Sequence, residues 1–553
     1  MDDSFNEFVE SLFEDLIQRH PTYGTFLGGK YHKYDGLMDA GSLEEIEEDI
    51  IIFKKALERL STFDVIQLSP SYRLDRDLLI QFLELQLFFT EELKTWETGL
   101  SITGGPAGTI GGSLFPLFMR DFAPFETRVR SMIGRMRGSL EYLENTKKLW
   151  RRPIKLWTKH AIKECQTTPG FFTVIHQAIQ SQGLPQDLGN EFQAVAADLT
   201  KKIQEYQKFL ETEVLPRATD DWAFGREAFE KLLELRKLPY NADEILAKGE
   251  QFLKELKSEL EKLAKEIDPN STNWEDVREK IKENHPPNFK ETLEEVRKAS
   301  ELAREFIDTK GLATIANGTK MDVIETPEFL RPLLPFAALA GAEVLGEKQE
   351  SQYFVTPGSD ESFLKEHSYP SIYNTSIHEG WPGHHAQISH GNLFGGIIRS
   401  LTAGIETVEG WAHYCEQMML EEGFYDDKKF LDTKHVEFIQ KLDALWRAVR
   451  IILDVKLHTE QISFEDAIEY LIAETGMARE GAIAEVTRYT MAPGYQLSYL
   501  IGKRLILELR DQFKEELGDK FSLRWFHDII LRSGGIPYYY LKQIFAEKVK
   551  ELA

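Results

Sequence analysis

A group of histidines in the second half of the chain constrains it more than any other feature. Residues 377–385 read Ile-His-Glu-Gly-Trp-Pro-Gly-His-His, so three of the chain's 14 histidines and one carboxylate fall within eight residues. Neutral imidazole and carboxylate groups suit zinc, and three protein ligands leave a fourth position for water. The stretch therefore predicts a metal site to which the fold must bring further ligands.

The spacing departs from the short zinc motif His-Glu-x-x-His, whose histidines lie one helical turn apart. Pro382 stands where that motif has its second histidine. On a straight helix His384 lies about 240° round from His378, and His385 lies about 10.5 Å along the axis, so neither could share an ion with His378. Proline breaks helices and the neighbouring glycines permit unusual backbone angles. We therefore predict a distorted helix at 380–383 that brings His378 and His384 together.

A second carboxylate completes the predicted ligand set. Glu409 follows the histidines by 25 or 24 residues, counted from His384 or His385, and it begins an apolar run with helical periodicity. Many helical zinc peptidases take a third ligand from the next helix at a similar spacing. Glu406 and His413 share a helical face with Glu409, so either could orient a ligand through a hydrogen bond.

Charge and cysteine content exclude several function classes. The chain has 553 residues and a net charge of −25, which argues against nucleic acid because phosphates require a basic surface. The two cysteines exclude a disulfide framework and favour a reducing compartment. The N-terminus lacks the pattern of a signal peptide, and no apolar run approaches the roughly 20 residues that span a bilayer. We therefore expect a cytoplasmic protein without a membrane partner; the sequence does not determine the oligomeric state.

Apolar residues recur at helical spacing through most of the chain, for example at Phe5, Val9, Leu12 and Leu16. Residues 310–370 are richer in proline, glycine and β-branched residues and predict a small β element. The glycine-rich stretch 102–112 lacks the Gly-Lys-Ser/Thr ending of a phosphate loop and predicts a surface or cleft-lining loop. We expect a mainly α protein with a helical N-terminal lobe at 1–310 and a site-bearing region at 311–553, packed as one bilobed unit.

Several motifs together resemble a known family. They are His378–His385, Glu409 to Ala412, Arg450 through Asp454 to His458, Glu485–Tyr489, Pro493–Tyr499, Phe526 to Asp528 and Gly535 to Pro537. This pattern resembles the prokaryotic family catalogued as domain of unknown function 885, most strongly from about 320 to 545. The family is similar to helical zinc peptidases, including thermostable carboxypeptidases and thimet-type oligopeptidases. The resemblance implies a metallopeptidase-like helical fold around a deep cleft.

The resemblance also implies roles for the central motif. His378, His384 and Glu409 would hold one zinc ion, with cobalt or manganese as alternatives. Glu379 would act as general base towards the activated water and return the proton to the leaving amine. His384 is preferred to His385 as second ligand because Gly-His is the matching pair in several relatives, and His385 would then contact substrate or support a ligand.

Other roles implied by the resemblance lie further along the chain. Tyr499 is the first candidate and Tyr495 the second for stabilising the oxyanion, although relatives more often carry glutamine at the position of Tyr495. Arg488 would either neutralise a substrate carboxylate or form a salt bridge with a helix acid. Asp454 and His458 would either support a ligand or pair with each other. The dipeptide at 527–528 is expected to be structural.

The combined expectation is a zinc-dependent hydrolase that cleaves short peptides. Two alternatives remain. The same metal-activated water could serve an amidase or esterase that acts on non-peptide substrates. The site could also belong to a non-catalytic metal-binding helical scaffold, in which four protein ligands would close the coordination sphere.

Overall fold

The computed structural model describes residues 1–100, 104–327, 331, 337–357, 361–428 and 430–552. Across these residues the protein is mainly α with one small three-stranded sheet, which confirms the predicted fold class. The chain divides into two compact units, Met1–Trp222 with Glu343–Glu347, and Ala223–Ala342 with Lys348–Ala553. This division falls earlier in the chain than the predicted boundary at residue 310.

The first unit is built from amphipathic helices. Its α-helices are α1 (Asp2–Arg19), α2 (Pro21–Leu27), α3 (Leu43–Ser61), α4 (Pro70–Leu87), α5 (Pro106–Met119), α6 (Phe125–Thr146), α7 (Lys155–Ser181) and α8 (Gln186–Phe209). In α1 the predicted stripe of Phe5, Val9, Leu12 and Leu16 is buried. Burying one apolar face against neighbours supplies most of the stability of such helices.

The glycine-rich stretch is helical from Pro106 onwards, so the predicted loop is wrong for residues 106–112. Helix α5 begins at Pro106, which suits the first helical position because its missing N–H needs no partner. The glycines make room for Glu164 of α7: a Cβ on Gly108 would lie 2.2 Å from Oε1 of Glu164. Close packing between helices therefore explains the composition. Residues 101–103 lie outside the described part of the chain.

The second unit carries the remaining elements. Its α-helices are α9 (Arg226–Leu235), α10 (Ala242–Ile267), α11 (Trp274–Lys282), α12 (Phe289–Lys310), α13 (Tyr369–Glu379), α14 (His384–His390), α15 (Gly396–Leu401), α16 (Ile405–Glu421), α17 (Thr433–His458), α18 (Phe464–Thr475), α19 (Arg479–Met491), α20 (Ser498–Leu517), α21 (Leu523–Ser533) and α22 (Tyr538–Leu552). No helix in the described ranges combines the length and the apolar character that crossing a bilayer requires.

The predicted β element is confirmed as a sheet of β1 (Thr319–Glu325), β2 (Ala337–Ala340) and β3 (Gln349–Val355) in the order β1-β3-β2. Strand β1 runs parallel to β3, with Val323 opposite Tyr353, and β2 runs antiparallel to it. Residues 328–330, 332–336 and 358–360 of the predicted stretch lie outside the described residues. The central strand β3 is buried at its C-terminal end and adjoins the histidine motif.

Candidate metal centre

The histidine motif spans a break between two helices, which confirms the predicted distortion. Helix α13 ends at Glu379 and α14 begins at His384, so four non-helical residues separate them. The N–H of Gly383 donates a hydrogen bond to the carbonyl of Ile377 at 3.1 Å. A Cβ on Gly383 would lie 1.9 Å from the carbonyl oxygen of His378, so only glycine fits there. The fold-back places both histidines side by side, with ring centroids 4.8 Å apart.

Neighbouring elements hold this break in place. The indole N–H of Trp411, on α16, donates a hydrogen bond to the carbonyl of Pro382 at 2.8 Å, and both groups are buried. Met321 of β1 packs so closely that a Cβ on Gly380 would lie 2.9 Å from its Cε. The loop is therefore supported from the helix that carries Glu409 and from the sheet.

His378, His384 and Glu409 converge as predicted. Oε2 of Glu409 lies 3.9 Å from Nε2 of His378 and 3.4 Å from Nε2 of His384. The three ligand atoms all lie within 4.8 Å of one another. Tetrahedral ligands at the usual zinc distances lie roughly 3.3–3.6 Å apart, so small side-chain movements would fit these atoms around one ion. The donor set and its spacing therefore fit zinc.

The charge state of Glu409 suits a metal ligand. Burial by itself would raise the pKa of this carboxyl, but the hydrogen bond and charge of His384, with the charge of His378, outweigh burial and lower it below its usual value. The hydroxyl of Tyr495 donates a further hydrogen bond to Oε1 of Glu409 at 2.8 Å. The carboxylate therefore stays ionised and has its second oxygen held in place.

Glu416 is a functional residue that the sequence analysis missed. Its Oε1 lies 2.7 Å from Nδ1 of His378, and its Oε2 accepts a hydrogen bond from Asn374 at 3.2 Å. A carboxylate on the far ring nitrogen of a ligating histidine fixes the tautomer and ring orientation. The helical periodicity that selected Glu406 and His413 could have found it, because Glu416 lies seven residues after Glu409, almost two full turns along α16.

His378 also belongs to a second group of metal-ligating side chains, with His413 and Glu416. All three residues of this group are buried, whereas His384 of the first group is half-buried. Burial lowers the pKa of His413 to about 3, so its imidazole is neutral. A hydrolytic site needs a side that water and substrate can reach, and only the first group has one. The second group supports His378 through Glu416, which bonds the ring nitrogen that does not face the ligand set.

Glu379 and His385 each follow one histidine of the ligand set in sequence, and Glu379 is close enough for its charge to act on His378. Glu379 is half-buried and lies near Tyr353 of β3, whose pKa is raised by burial and further by the charge of Glu379. Nδ1 of His385 hydrogen-bonds the hydroxyl of Ser351 at 2.8 Å, and its ring packs edge-on against Trp381. His385 thus anchors α14 to the sheet. Of the two adjacent histidines, His384 is the one that lies next to Glu409.

The predicted tyrosines lie beside Glu409 because two helices cross closely. Helices α16 and α20 meet at Gly410 and Gly502, where a Cβ on Gly502 would lie 1.8 Å from the carbonyl oxygen of Glu406. This contact brings the start of α20 next to the ligands. The ring of Tyr499 lies 5.9 Å from that of Tyr495. Burial raises the pKa of Tyr499, so the phenol keeps the proton that it would donate to an oxyanion.

Glu406, Asp454 and His458 do not contact the ligand set. Glu406 forms a buried salt bridge with Arg236 at 2.8 Å. Asp454 accepts hydrogen bonds from the backbone N–H groups of Gly494 and Leu497 at 2.9 and 3.0 Å, which fixes the turn that carries Tyr495. The imidazole of His458 hydrogen-bonds the carbonyl of Tyr489 at 3.0 Å. These residues act on the segment that carries Tyr495 and Tyr499 and not directly on the metal ligands.

The remaining predicted residues have identified partners. Nη2 of Arg488 donates a hydrogen bond to Oε2 of Glu485 at 2.8 Å, which is the salt bridge foreseen as one alternative. His527 bridges the hydroxyl of Tyr414 and the carbonyl of Leu312, each at 2.7 Å, and is structural as expected. Asp528 accepts a hydrogen bond from the backbone N–H of Thr314 at 2.7 Å, as a structural residue would.

Comparison with known proteins identifies relatives of the whole chain. The family described as "Bacterial protein of unknown function (DUF885)" matches residues 21–544. A "putative lipoprotein of unknown function" from Shewanella oneidensis is 23% identical, with a TM-score of 0.79 over 98% of this chain and 99% of that one. A "putative lipoprotein" from Colwellia psychrerythraea is 19% identical, with a TM-score of 0.85 over 99% of both chains. At these identities the likeness shows a shared fold. No curated protein sequence matches the chain.

The predicted cytoplasmic location is wrong. The two solved structures named above are each described as a "putative lipoprotein", and lipoproteins are anchored to membranes and are not cytoplasmic. The prediction depended on the acidic N-terminal residues and on the low cysteine content. Cys165 and Cys415 are indeed buried and unpaired, but unpaired cysteines do not identify a compartment.

Proposed function

The chain belongs to the DUF885 family of bacterial proteins, and we propose that this member is a zinc-dependent hydrolase that cleaves peptide bonds in short peptides. The observation that carries the proposal is the convergence of His378, His384 and Glu409 within 4.8 Å, with His384 half-buried. Glu416, hydrogen-bonded to the far side of His378, supports the same reading. The resemblance of the sequence motifs to those of helical zinc peptidases, with Glu409 on the next helix, also motivates the proposal.

The proposed mechanism assigns one task to each nearby residue. His378, His384 and Glu409 would hold a zinc ion, which would supply a polarised water and a positive charge for the substrate carbonyl. Glu379, next to His378 in sequence, would accept a proton from the attacking water and donate it to the leaving amine. Tyr499 donates a hydrogen bond to the oxygen on which negative charge develops, and such a donor contributes roughly 3–4 kcal/mol of transition-state stabilisation. Tyr495 holds Glu409 in its ligating orientation.

The half-buried face of the site favours hydrolysis over a purely structural metal. A structural zinc site has four protein ligands and is closed, whereas this ligand set has three and retains a side that is accessible beside His384. Zinc amidases and esterases use the same chemistry, so the choice of a peptide substrate rests on the resemblance to peptidases. Substrate libraries therefore form part of the test.

Elemental analysis of the purified protein, combined with turnover of a mixed peptide pool, tests the proposal. We expect about one zinc per chain, and Glu379→Gln is expected to retain the metal and lose at least 100-fold in turnover. His384→Ala is expected to lose the metal, while the matched His385→Ala retains it because that imidazole faces Ser351. Full activity in Glu379→Gln would refute the general-base role. Cleavage of ester or amide libraries, with no cleavage of peptides, would refute the peptide substrate.

A further inference from the structure

Three arginines lie near Tyr499. The Cζ of Arg450 lies 5.0 Å from the centre of the Tyr499 ring, and that of Arg447 lies 5.8 Å from it. Both guanidinium groups also stack near Trp446, at 4.2 and 5.1 Å from the ring centre. Arg488 joins them through Glu485. A local concentration of positive charge is unexpected in a chain with a net charge of −25.

The arginines of this cluster outnumber the carboxylates with which they form ion pairs. Nη2 of Arg450 and Nη2 of Arg488 both donate to the same oxygen, Oε2 of Glu485, at 3.0 and 2.8 Å. Arg447 pairs with Asp443, at 3.4 Å. Three guanidinium groups therefore share two paired carboxylates. Arginines that share a carboxylate in this way are suited to bind a further anion.

The cluster is partly open and partly rigid, as a binding site requires. The side chain of Arg488 is 43% exposed, so a ligand can reach it. The side chain of Arg450 is only 6% exposed, and its Nε donates a hydrogen bond to the hydroxyl of Tyr489 at 3.0 Å. Tyr499 and Trp446, which lie against the guanidinium groups, are half-buried. Arg450 is thus held in position, while Arg488 remains accessible to a ligand.

Tyr499 connects this cluster to the candidate metal centre. Its ring lies 5.0 Å from the Cζ of Arg450, 6.1 Å from the ring of His413 and 5.9 Å from that of Tyr495. Tyr495 in turn donates a hydrogen bond to Glu409. Tyr499 and Tyr495 therefore link the arginine cluster to the ligand set.

We propose that Arg450 and Arg488, with Arg447 beside them, bind the terminal carboxylate of a short peptide whose scissile bond lies at the metal ligands. The proposal deepens the peptidase assignment and rests on it for the position of the scissile bond. Guanidinium groups bind carboxylates through paired, charge-assisted hydrogen bonds, which gives both affinity and orientation. The site therefore selects peptides with a free carboxyl terminus and orients them for cleavage near that end.

Affinity selection tests this proposal without relying on turnover. Glu379→Gln protein is incubated with equimolar tripeptide libraries that lack Asp and Glu, one with free carboxyl termini and one amidated, and retained peptides are counted by mass spectrometry. We expect free acids to be enriched about tenfold, the effect of one charge-assisted hydrogen bond. Added Arg488→Gln should abolish most of the enrichment, whereas Arg488→Lys keeps the charge and should retain part of it. Arg479→Gln, an exposed arginine on the same helix, is the matched control and should retain all of it.

The outcomes separate the two proposals. Equal retention of acids and amides, or unchanged enrichment in Arg488→Gln, would overturn the carboxylate site. A third library, amidated and containing Asp and Glu, is screened in parallel; enrichment confined to its acidic peptides would also overturn the carboxylate site, since the anion would then be a side chain. Selective retention of free acids without peptide cleavage by the wild-type protein would uphold the carboxylate site and refute the proposed peptidase.

Discussion

Nδ1 of His378 lies 2.7 Å from Oε1 of Glu416, while Nε2 of the same ring faces Glu409 at 3.9 Å. The imidazole is therefore held between two carboxylates of one helix. With a metal ion bound, the hydrogen bond to Glu416 would keep the proton on Nδ1 and leave the lone pair of Nε2 for the ion. This relationship makes His378 the best-supported candidate ligand in the chain.

Replacing Glu416 should weaken metal binding without unfolding the protein. In Glu416→Gln the amide can still bond His378 but no longer carries the charge that makes the imidazole a stronger donor. We expect zinc affinity to fall about 10- to 100-fold, measured by competition with a chelator. Glu421→Gln, on the same helix and paired with Arg510 near the surface, is the matched control and should bind zinc normally. Equal affinities for the two variants would show that Glu416 does not support the site.

Gly383 is expected to tolerate no side chain. In Gly383→Ala the added Cβ would lie 1.9 Å from the carbonyl oxygen of His378 and 2.3 Å from that of Ile377, so the fold-back has to open. We expect a loss of roughly 1–3 kcal/mol in the free energy of unfolding together with loss of zinc binding. Gly170→Ala, inside α7 with no atom within 4 Å of the new Cβ, should instead stabilise by roughly 0.5–1 kcal/mol. Urea unfolding of both variants provides the measurement.

Replacing Tyr495 and replacing Tyr499 should have different effects on zinc affinity and on kcat. Tyr495 bonds Glu409 at 2.8 Å, so Tyr495→Phe is expected to lower zinc affinity and to recover activity when zinc is added in excess. Tyr499→Phe should retain zinc and lose about 100- to 1,000-fold in kcat, because its hydroxyl is needed only when negative charge develops. Peptide turnover at two zinc concentrations distinguishes the variants. A Tyr499→Phe enzyme with normal kcat would assign the oxyanion contact to another group.

A half-buried histidine in the first unit predicts a pH dependence of stability. His32 lies between Asp35, at 2.9 Å, and Glu343, at 3.2 Å. Burial alone lowers the pKa of His32, but the two carboxylates outweigh it and raise the pKa to about 9. Because the folded state holds the proton more tightly, this stabilisation is complete below the unfolded value near 6.5 and is lost as the pH rises through 9.

The test compares urea unfolding of the wild type and His32→Gln between pH 6 and pH 9.5. The wild type should lose more stability over this interval, and the difference between the two proteins should be about 1–2 kcal/mol after allowance for solvent screening. His20, whose pKa is raised to about 8 because Asp49 outweighs burial, remains in both proteins and accounts for a residual slope. Parallel pH profiles for the two proteins would contradict the prediction.

Local sequence rules predicted the features that depend on neighbouring residues. The stripe of α1, the β element before the motif, and the break at 380–383 follow from periodicity and from the restricted angles of proline and glycine. His378 and His384 could not meet on a straight helix, so helix geometry predicted a break between them. The structure has that break. The glycine-rich stretch was the local failure, because close packing against Glu164 overrode the usual preference of glycine for loops.

Tertiary structure decided which distant groups meet. The sequence by itself determined the helical class, the broken motif and the candidate ligands, since each follows from patterns among residues that are near one another in the sequence. The pairing of Glu416 with His378 spans 38 residues, and that of Arg236 with Glu406 spans 170. Such partners are chosen by helix crossings, such as the one at Gly410 and Gly502, whose geometry depends on packing across the whole unit. The arginine cluster beside Tyr499 likewise forms only when α17, α19 and α20 come together.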